Sequence, residues 1–141
     1  MNEQLKYGVA DNTFQAAGGQ PGVTQLVGHF YDIMSSEQEY LGIWNLHPKG
    51  NVESRDRLAR FLCAWMGGPR LYKEKYGPIS IPGVHAHLTI GEYERDQWLA
   101  CMHKALLIMD YDQALVDYLI RQLAVPAERI FQRCQKALTD K

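Results

Sequence analysis

Histidine is the residue type in this chain whose placement most suggests chemistry. Five are present: His29, His47, His85, His87 and His103. His29 and His103 lie within predicted helices beside polar or charged neighbours, which is more typical of ordinary helix residues than of ligands. His85 and His87 lie instead on a segment rich in glycine and proline that leads into a long predicted helix. A constrained piece of backbone there suits a ligand that must point in one direction.

The histidines and cysteines do not have the spacing of a structural zinc site. Such a site needs four Cys or His ligands, usually in close pairs. The nearest approaches are His85-x-His87 and Cys101-x-His103. The second pair lies on a predicted helix, where residues two apart do not face each other. Zinc is therefore disfavoured.

Haem requires less of the sequence, because the porphyrin supplies four nitrogens and one axial histidine is enough. It also requires a large apolar slot between helices. The predicted inner faces offer Phe30, Leu58, Phe61, Leu62, Leu88 and Met102. Taken one by one, these residues fit an ordinary core equally well. Tyr31 and Trp98 continue the same apolar faces, and their O–H and N–H groups would bond either a backbone carbonyl or a ligand.

Composition predicts one domain with a hydrophobic core and gives no sign of a nucleic-acid or membrane partner. The chain has 141 residues, 46% of them hydrophobic, and a net charge of -1. That charge gives no basic footprint for nucleic acid or a membrane surface. No apolar run approaches the roughly 20 residues that span a bilayer, and the start does not resemble a secretory signal. The odd set Cys63, Cys101 and Cys134 predicts buried free thiols and a cytoplasmic location.

Glycines and prolines divide the chain into predicted helices. One helix follows Gly18-Gly19 with Pro21 in its first turn, and its apolar face has helical spacing: Val23, Leu26, Val27, Phe30, Tyr31 and Met34. A second carries Leu58, Phe61, Leu62 and Trp65 and stops at Gly67-Gly68-Pro69.

The second half of the chain is predicted to begin with a breaker-rich loop over 70–88 that contains one short helical turn near His85. A long helix would not tolerate Gly77-Pro78 and Pro82-Gly83. Thr89 to Glu92 reads as a capping box before a long helix. A break at Asp110 to Asp112 precedes a last helix that Pro126 should kink or split. No strand alternation is present, so the predicted class is all-α.

An ordered set of motifs resembles the bacterial truncated haemoglobins of group II. It extends from about Phe14 to Leu107 and consists of Phe30-Tyr31-Asp32, Leu46-His47-Pro48, Trp65-Met66-Gly67-Gly68-Pro69, Leu71-Tyr72, Tyr76-Gly77, His85, and Glu94-Arg95-Asp96-Gln97-Trp98 with Cys101-Met102. The resemblance implies a globin-like, two-on-two helical sandwich around haem b (iron protoporphyrin IX). It implies a single domain over 1–141, with a flexible N-terminal extension over 1–11.

The same resemblance assigns a role to individual residues. His85 matches the proximal iron ligand, with His87 as a rival. Tyr31, His47 and Trp98 match the distal groups that stabilise a bound gas. The implied pocket wall consists of Phe30, Ser54, Leu58, Phe61, Leu62, Tyr72, Leu88 and Met102. Gly83-Val84 stands where similar proteins often have a basic residue before the ligand, so a propionate contact would come from Arg70, Lys73 or Lys75.

These roles imply a protein that binds O2, NO, CO or peroxide and releases oxygen slowly. A hydrogen bond to a charged acceptor contributes roughly 1.5–3 kcal/mol, so two donors would retard escape by orders of magnitude. Tight binding in storage, scavenging or sensing is the first hypothesis. The second is an enzyme, a nitric oxide dioxygenase or a peroxidase-like protein, served by an unidentified reductase. The third is a haem-free helical binding module.

Overall fold

A computed structural model of the chain describes residues 6–47, 52–78 and 90–139. Three residues of the predicted site, His85, His87 and Leu88, lie outside these ranges. The described residues form helices and turns and contain no strand. The predicted all-α class is therefore confirmed.

Seven α-helices make up the described part of the chain: α1 Asn12–Ala16, α2 Gly19–Ser36, α3 Leu41–Trp44, α4 Val52–Trp65, α5 Leu71–Tyr76, α6 Glu92–Ile108 and α7 Gln113–Thr139. A 3₁₀ turn, Gln38–Tyr40, precedes α3. The long helices pack in two pairs, α2 with α4 and α6 with α7, and α2 also packs against α6. This arrangement is the predicted two-on-two sandwich, with the core where the pairs meet. No helix among the described residues is long and apolar enough to cross a membrane.

Helix α2 carries the central stripe of the core. All six residues predicted to form its apolar face are buried, and Phe30 and Met34 have no exposed surface. Gly18, the residue before the helix, has the left-handed conformation at φ 97°, and Pro21 lies in the first turn, as predicted. The 3.6-residue period therefore placed this helix and its buried face correctly.

The turn after α4 requires two glycines because the N-terminal segment lies directly against it. Gly67 has a φ of +93°, and a Cβ there would come within 2.0 Å of the Ala10 carbonyl oxygen. A Cβ on Gly68 would come within 2.7 Å of the Phe14 ring. Residues 6–11, part of the extension expected to be flexible, also contact the domain at Tyr7, whose ring lies 5.3 Å from that of Tyr118.

We expect Gly67→Ala to lower the free energy of unfolding by about 1–3 kcal/mol, because the left-handed backbone and the Ala10 carbonyl both oppose a side chain. Gly42→Ala is the matched control, since Gly42 lies in helix α3 and an added methyl group would have no neighbour within 4 Å. Urea unfolding of both variants measures the difference. Equal stability of the Gly67 and Gly42 variants would show that the N-terminal segment does not pack against this turn.

Two local predictions in the second half of the chain were wrong. Residues 70–88 were predicted to form a loop, but Leu71–Tyr76 form helix α5, which ends before Gly77-Pro78. Helix α6 begins at Glu92, so its cap is Gly91, whose N–H donates to the Glu94 carboxylate at 2.7 Å. The predicted box from Thr89 to Glu92 is therefore two residues out of register, and Thr89 itself lies outside the described residues. The last helix is continuous from Gln113 to Thr139, so of the two outcomes predicted for Pro126, a kink or a split, the split does not occur.

The break between α6 and α7 is where the sequence predicted it. Asp110 has a φ of 58°, a conformation that aspartate tolerates better than most residues. The next residue, Tyr111, donates its hydroxyl to the Ala17 carbonyl at 2.6 Å and so ties this turn to the start of α2. Burial raises the pKa of Tyr111 to about 12. None of the three cysteines forms a disulfide and all three are buried, as predicted.

Candidate functional site

Four aromatic rings from three parts of the chain meet around Tyr31. Phe30 and Tyr31 of α2 make an edge contact with centroids 5.2 Å apart, and Phe30 makes another with Trp98 of α6 at 5.1 Å. His47 lies edge-on to Tyr31 at 5.3 Å. The three residues predicted to face a gas ligand, Tyr31, His47 and Trp98, are thus joined through one continuous set of ring contacts.

The ring of His47 is held by the short helix α3. Its Nδ1 lies 2.8 Å from the carbonyl oxygen of Ile43, and its ring stacks on Trp44 at 6.3 Å. A carbonyl oxygen only accepts hydrogen bonds, so Nδ1 carries the proton. In the neutral imidazole the lone pair then lies on Nε2.

Tyr31 is buried, with 4% of its surface exposed. Burial raises the pKa of its hydroxyl well above the ordinary value, and the nearby positive charge of Arg55 opposes that shift. The guanidinium carbon of Arg55 lies 5.5 Å from the centre of the Tyr31 ring. Tyr31 therefore keeps its proton at neutral pH and remains a hydrogen-bond donor.

A group of polar residues joins α4 to α5 beside Tyr72. The Tyr72 hydroxyl accepts from Arg57 at 2.8 Å, and the same guanidinium lies 4.1 Å from the centre of the Tyr76 ring. Lys75 forms an ion pair with Asp56 at 2.9 Å. Asp56 also accepts from the Tyr76 hydroxyl, and these bonds lower the pKa of its carboxyl to about 2.

Comparisons with known proteins agree with one another. The model of the bacterial-like globin family matches residues 12–132. The chain belongs to this family. It is 26% identical over 128 residues to the group 2 truncated haemoglobin YjbI of Bacillus subtilis (strain 168), covering 91% of this chain and 95% of that protein.

Solved structures extend the comparison from sequence to fold. The group II 2-on-2 haemoglobin of Agrobacterium tumefaciens superposes with a TM-score of 0.80 at 25% identity, covering 92% of this chain and 97% of that one. The truncated oxygen-avid haemoglobin of Bacillus subtilis superposes with a TM-score of 0.75 at 25% identity, covering 84% and 97%. The resemblance to group II truncated haemoglobins is confirmed, and the globin family implies haem and a small gas ligand.

The apolar residues predicted to line a haem slot on α4 and α6 of this globin divide into buried and half-exposed ones. Leu62 and Met102 are buried with 1% and 0% exposure. Leu58, Phe61 and Trp98 also pack against the core but remain partly exposed. Large apolar side chains left half-covered on α4 and α6 are what the wall of a cofactor slot would show.

Helix α6 also carries a buried polar atom without a partner among the described residues. The amide oxygen of Gln97, next to Trp98 in the chain, is buried and accepts no hydrogen bond from the part of the chain that the structure describes. A buried acceptor left unpaired destabilises the fold. Ser54 lies half-buried in the first turn of α4, four residues before Leu58 and so on the same side of the helix.

The globin's remaining predicted site residues are more widely placed. Arg70 and Lys73 are exposed at the start of α5 and within it, whereas Lys75 is engaged by Asp56. Sequence reasoning missed Arg57, which lies one residue before Leu58. The sequence signal for Arg57 was a basic residue next to a predicted pocket residue. Only the packing of α4 on α5 brings Arg57 to Tyr72.

Proposed function

We propose that this globin binds haem b through His85 and holds a diatomic gas beside Tyr31 and Trp98, releasing oxygen slowly. The observation that carries this proposal is the run of ring contacts that joins the buried Tyr31 to His47 and, through Phe30, to Trp98. The relative from Bacillus subtilis, described as oxygen-avid, supports tight binding. His85 and Leu88 enter the proposal through the resemblance alone.

The haem iron would supply a coordination position for the gas, and the surrounding side chains would supply its retention. Tyr31 keeps its proton because burial raises its pKa, and the indole nitrogen of Trp98 can only donate. Both groups therefore present donors to a ligand that carries partial negative charge. Phe30, Leu58, Phe61, Leu62 and Met102 would exclude water, which strengthens such hydrogen bonds.

His47 has a different part in this proposal from Tyr31. Because its Nδ1–H is directed at Ile43, neutral His47 presents an acceptor and not a second donor. A lone pair on Nε2 is also what an iron ligand needs. We therefore include in the proposal that His47 coordinates the iron when no gas is present, with Tyr31 as the other candidate.

The haem carboxylates need cations at the mouth of the slot, and Arg57 is the best placed of the described ones. Its guanidinium donates to Tyr72, lies over Tyr76 and pairs with the exposed Glu53 at 3.4 Å, while 43% of the side chain remains exposed. Arginine has five N–H donors in a fork that suits carboxylates. Arg70 and Lys73 remain further candidates, and Lys75 would first have to leave Asp56.

Titration of the haem-free chain with haemin tests the proposal as a whole. We expect uptake of one haem per chain, a Soret band distinct from that of free haemin, and a ferrous form that binds carbon monoxide. A colourless protein that takes up no haemin would contradict the proposal and select the haem-free helical binding module.

The alternative proposal is an enzyme acting at the same haem, oxidising nitric oxide or reducing peroxide. The acceptor nitrogen of His47 beside Tyr31 favours it, because such chemistry needs a group that takes and returns a proton. Turnover beyond that of free haemin, sustained by a cytoplasmic reductase, would select the enzyme. Turnover equal to that of free haemin would leave binding, storage or transport of oxygen as the function.

A further inference from the structure

Arg55 of α4 binds the segment of α2 that carries Tyr31. Its Nη2 lies 2.8 Å from the Asp32 carboxylate, and its Nη1 donates to the Gly28 carbonyl at 3.2 Å. Asp32 directly follows Tyr31, and Gly28 lies one turn earlier on the same helix. Two bonds from one planar guanidinium fix its position and orientation more tightly than a single contact would.

These two bonds hold the positive charge of Arg55 over the face of the Tyr31 ring. The guanidinium carbon lies 5.5 Å from the ring centre, within the range of a cation–π contact. The other ring contacts of Tyr31 are edge contacts from Phe30 and His47. Arg55 therefore covers the ring from α4, while α2 and the residues after α3 hold its edges.

The positive charge of Arg55 also acts on the Tyr31 hydroxyl. A cation near a phenol stabilises the loss of its proton and so makes the O–H a stronger donor, against the effect of burial. The Asp32 carboxylate is 70% exposed and bonded to the guanidinium, so water screens its opposing charge.

We propose that Arg55 is a positioning residue for Tyr31, whose link to Gly28 and Asp32 orients the phenol and strengthens its donation to a bound gas. The proposal rests on the proposed function, in which Tyr31 faces that gas. It adds a residue to which neither the sequence motifs nor the globin resemblance assigned a role.

Arg55 also lines a groove, so the experiment must separate an effect on gas entry from an effect on the Tyr31 hydrogen bond. The groove has a volume of ≈ 380 Å³ and lies between α2 and α4, where Val27, Ala59 and Cys63 line it as well. Removing the Arg55 side chain could widen this groove and admit gas more quickly. A wider entrance would raise the association rate, whereas a weaker Tyr31 bond would raise the dissociation rate.

The experiment uses the haem-loaded protein and the variants Arg55→Met, Arg55→Lys and Arg60→Met. Arg60 is the matched control, because it lies on the same helix, is similarly exposed and lines the same groove, but pairs with Asp56 instead of contacting Tyr31. We measure oxygen dissociation, carbon monoxide association and the C–O stretching frequency of the carbonyl complex. The stretching frequency reports the strength of donation to the ligand without relying on a rate.

We expect Arg55→Met to raise the oxygen dissociation rate by about two- to fivefold, the size of an exposed cation–π contact. The C–O stretch should shift towards its value in Tyr31→Phe, and carbon monoxide association should not change. Arg55→Lys should recover part of both effects, and Arg60→Met should show neither. In a Tyr31→Phe background, Arg55→Met should have no further effect, because the two residues act through one bond.

Other results would overturn this role for Arg55. One such result is that Arg55→Met acts equally in the Tyr31→Phe background, and another is that it changes the association rate alone. Either result would show that Arg55 acts on gas entry through the groove and not through Tyr31. Unchanged dissociation and an unchanged stretch, in a protein whose Tyr31→Phe variant releases oxygen faster, show that Arg55 does not position Tyr31. If Tyr31→Phe itself has no effect, the proposed function fails at Tyr31 before Arg55 is tested.

Discussion

Replacement of Tyr31 by phenylalanine is expected to raise the oxygen dissociation rate about 10- to 100-fold, the effect of losing a charge-assisted hydrogen bond. The ring itself should stay in place, because Phe30 and His47 contact its edges and 4% of the residue is exposed. Only the buried donor is removed. Stopped-flow displacement of oxygen by carbon monoxide measures the rate.

Tyr118→Phe is the control for this experiment, since Tyr118 packs against Tyr7 and takes no part in the ring cluster. It should leave the rate unchanged. A Tyr31→Phe variant that releases oxygen as slowly as the wild type would show that the Tyr31 hydroxyl does not contact the ligand. Trp98 would then remain the only donor in the proposal.

The fold was predictable from sequence wherever a helix buries one regular face. The stripe of α2 was identified residue by residue, because apolar residues at helical spacing must face the core. The predicted helix ends were also informative: Gly67 follows α4 and Asp110 follows α6, both in conformations that most residues avoid. These features depend on local sequence, so no knowledge of the partner helices was needed.

Local signals failed where two registers compete. Glu92 and Glu94 both lie near the start of α6, and Glu94 caps Gly91 although Thr89 made the earlier register look better. Pro126 lies inside α7, which stays continuous although a proline removes one backbone donor. Packing against the rest of the domain, which the local sequence does not contain, decides such cases.

The sequence predicted the aromatic residues of the candidate site but not the arginines that bond to its helices. Tyr31, His47 and Trp98 were named from motifs, and the structure brings them together. Arg55 and Arg57 were missed, because their partners lie 23 and 15 residues away and are met only when α4 packs on α2 and α5. The tautomer of His47 depends in the same way on the carbonyl of Ile43.

The second large effect is expected for His85→Gly, because haem binding as proposed depends on His85 as the axial ligand of the iron. The substitution removes the imidazole and leaves the aromatic cluster intact. We expect this variant to lose haem or to show altered ligand-field bands, and added imidazole to restore wild-type bands by occupying the vacated position. His87→Gly is the matched control for the neighbouring histidine and should be unchanged.

Absorption spectra test this ligand most directly. They are recorded for the ferric, ferrous and carbonyl forms of the wild type, His85→Gly and His87→Gly. We expect His85→Gly alone to alter the bands and imidazole to reverse the change. Identical spectra for His85→Gly and the wild type, or a loss that follows His87→Gly instead, would show that His85 does not hold the iron.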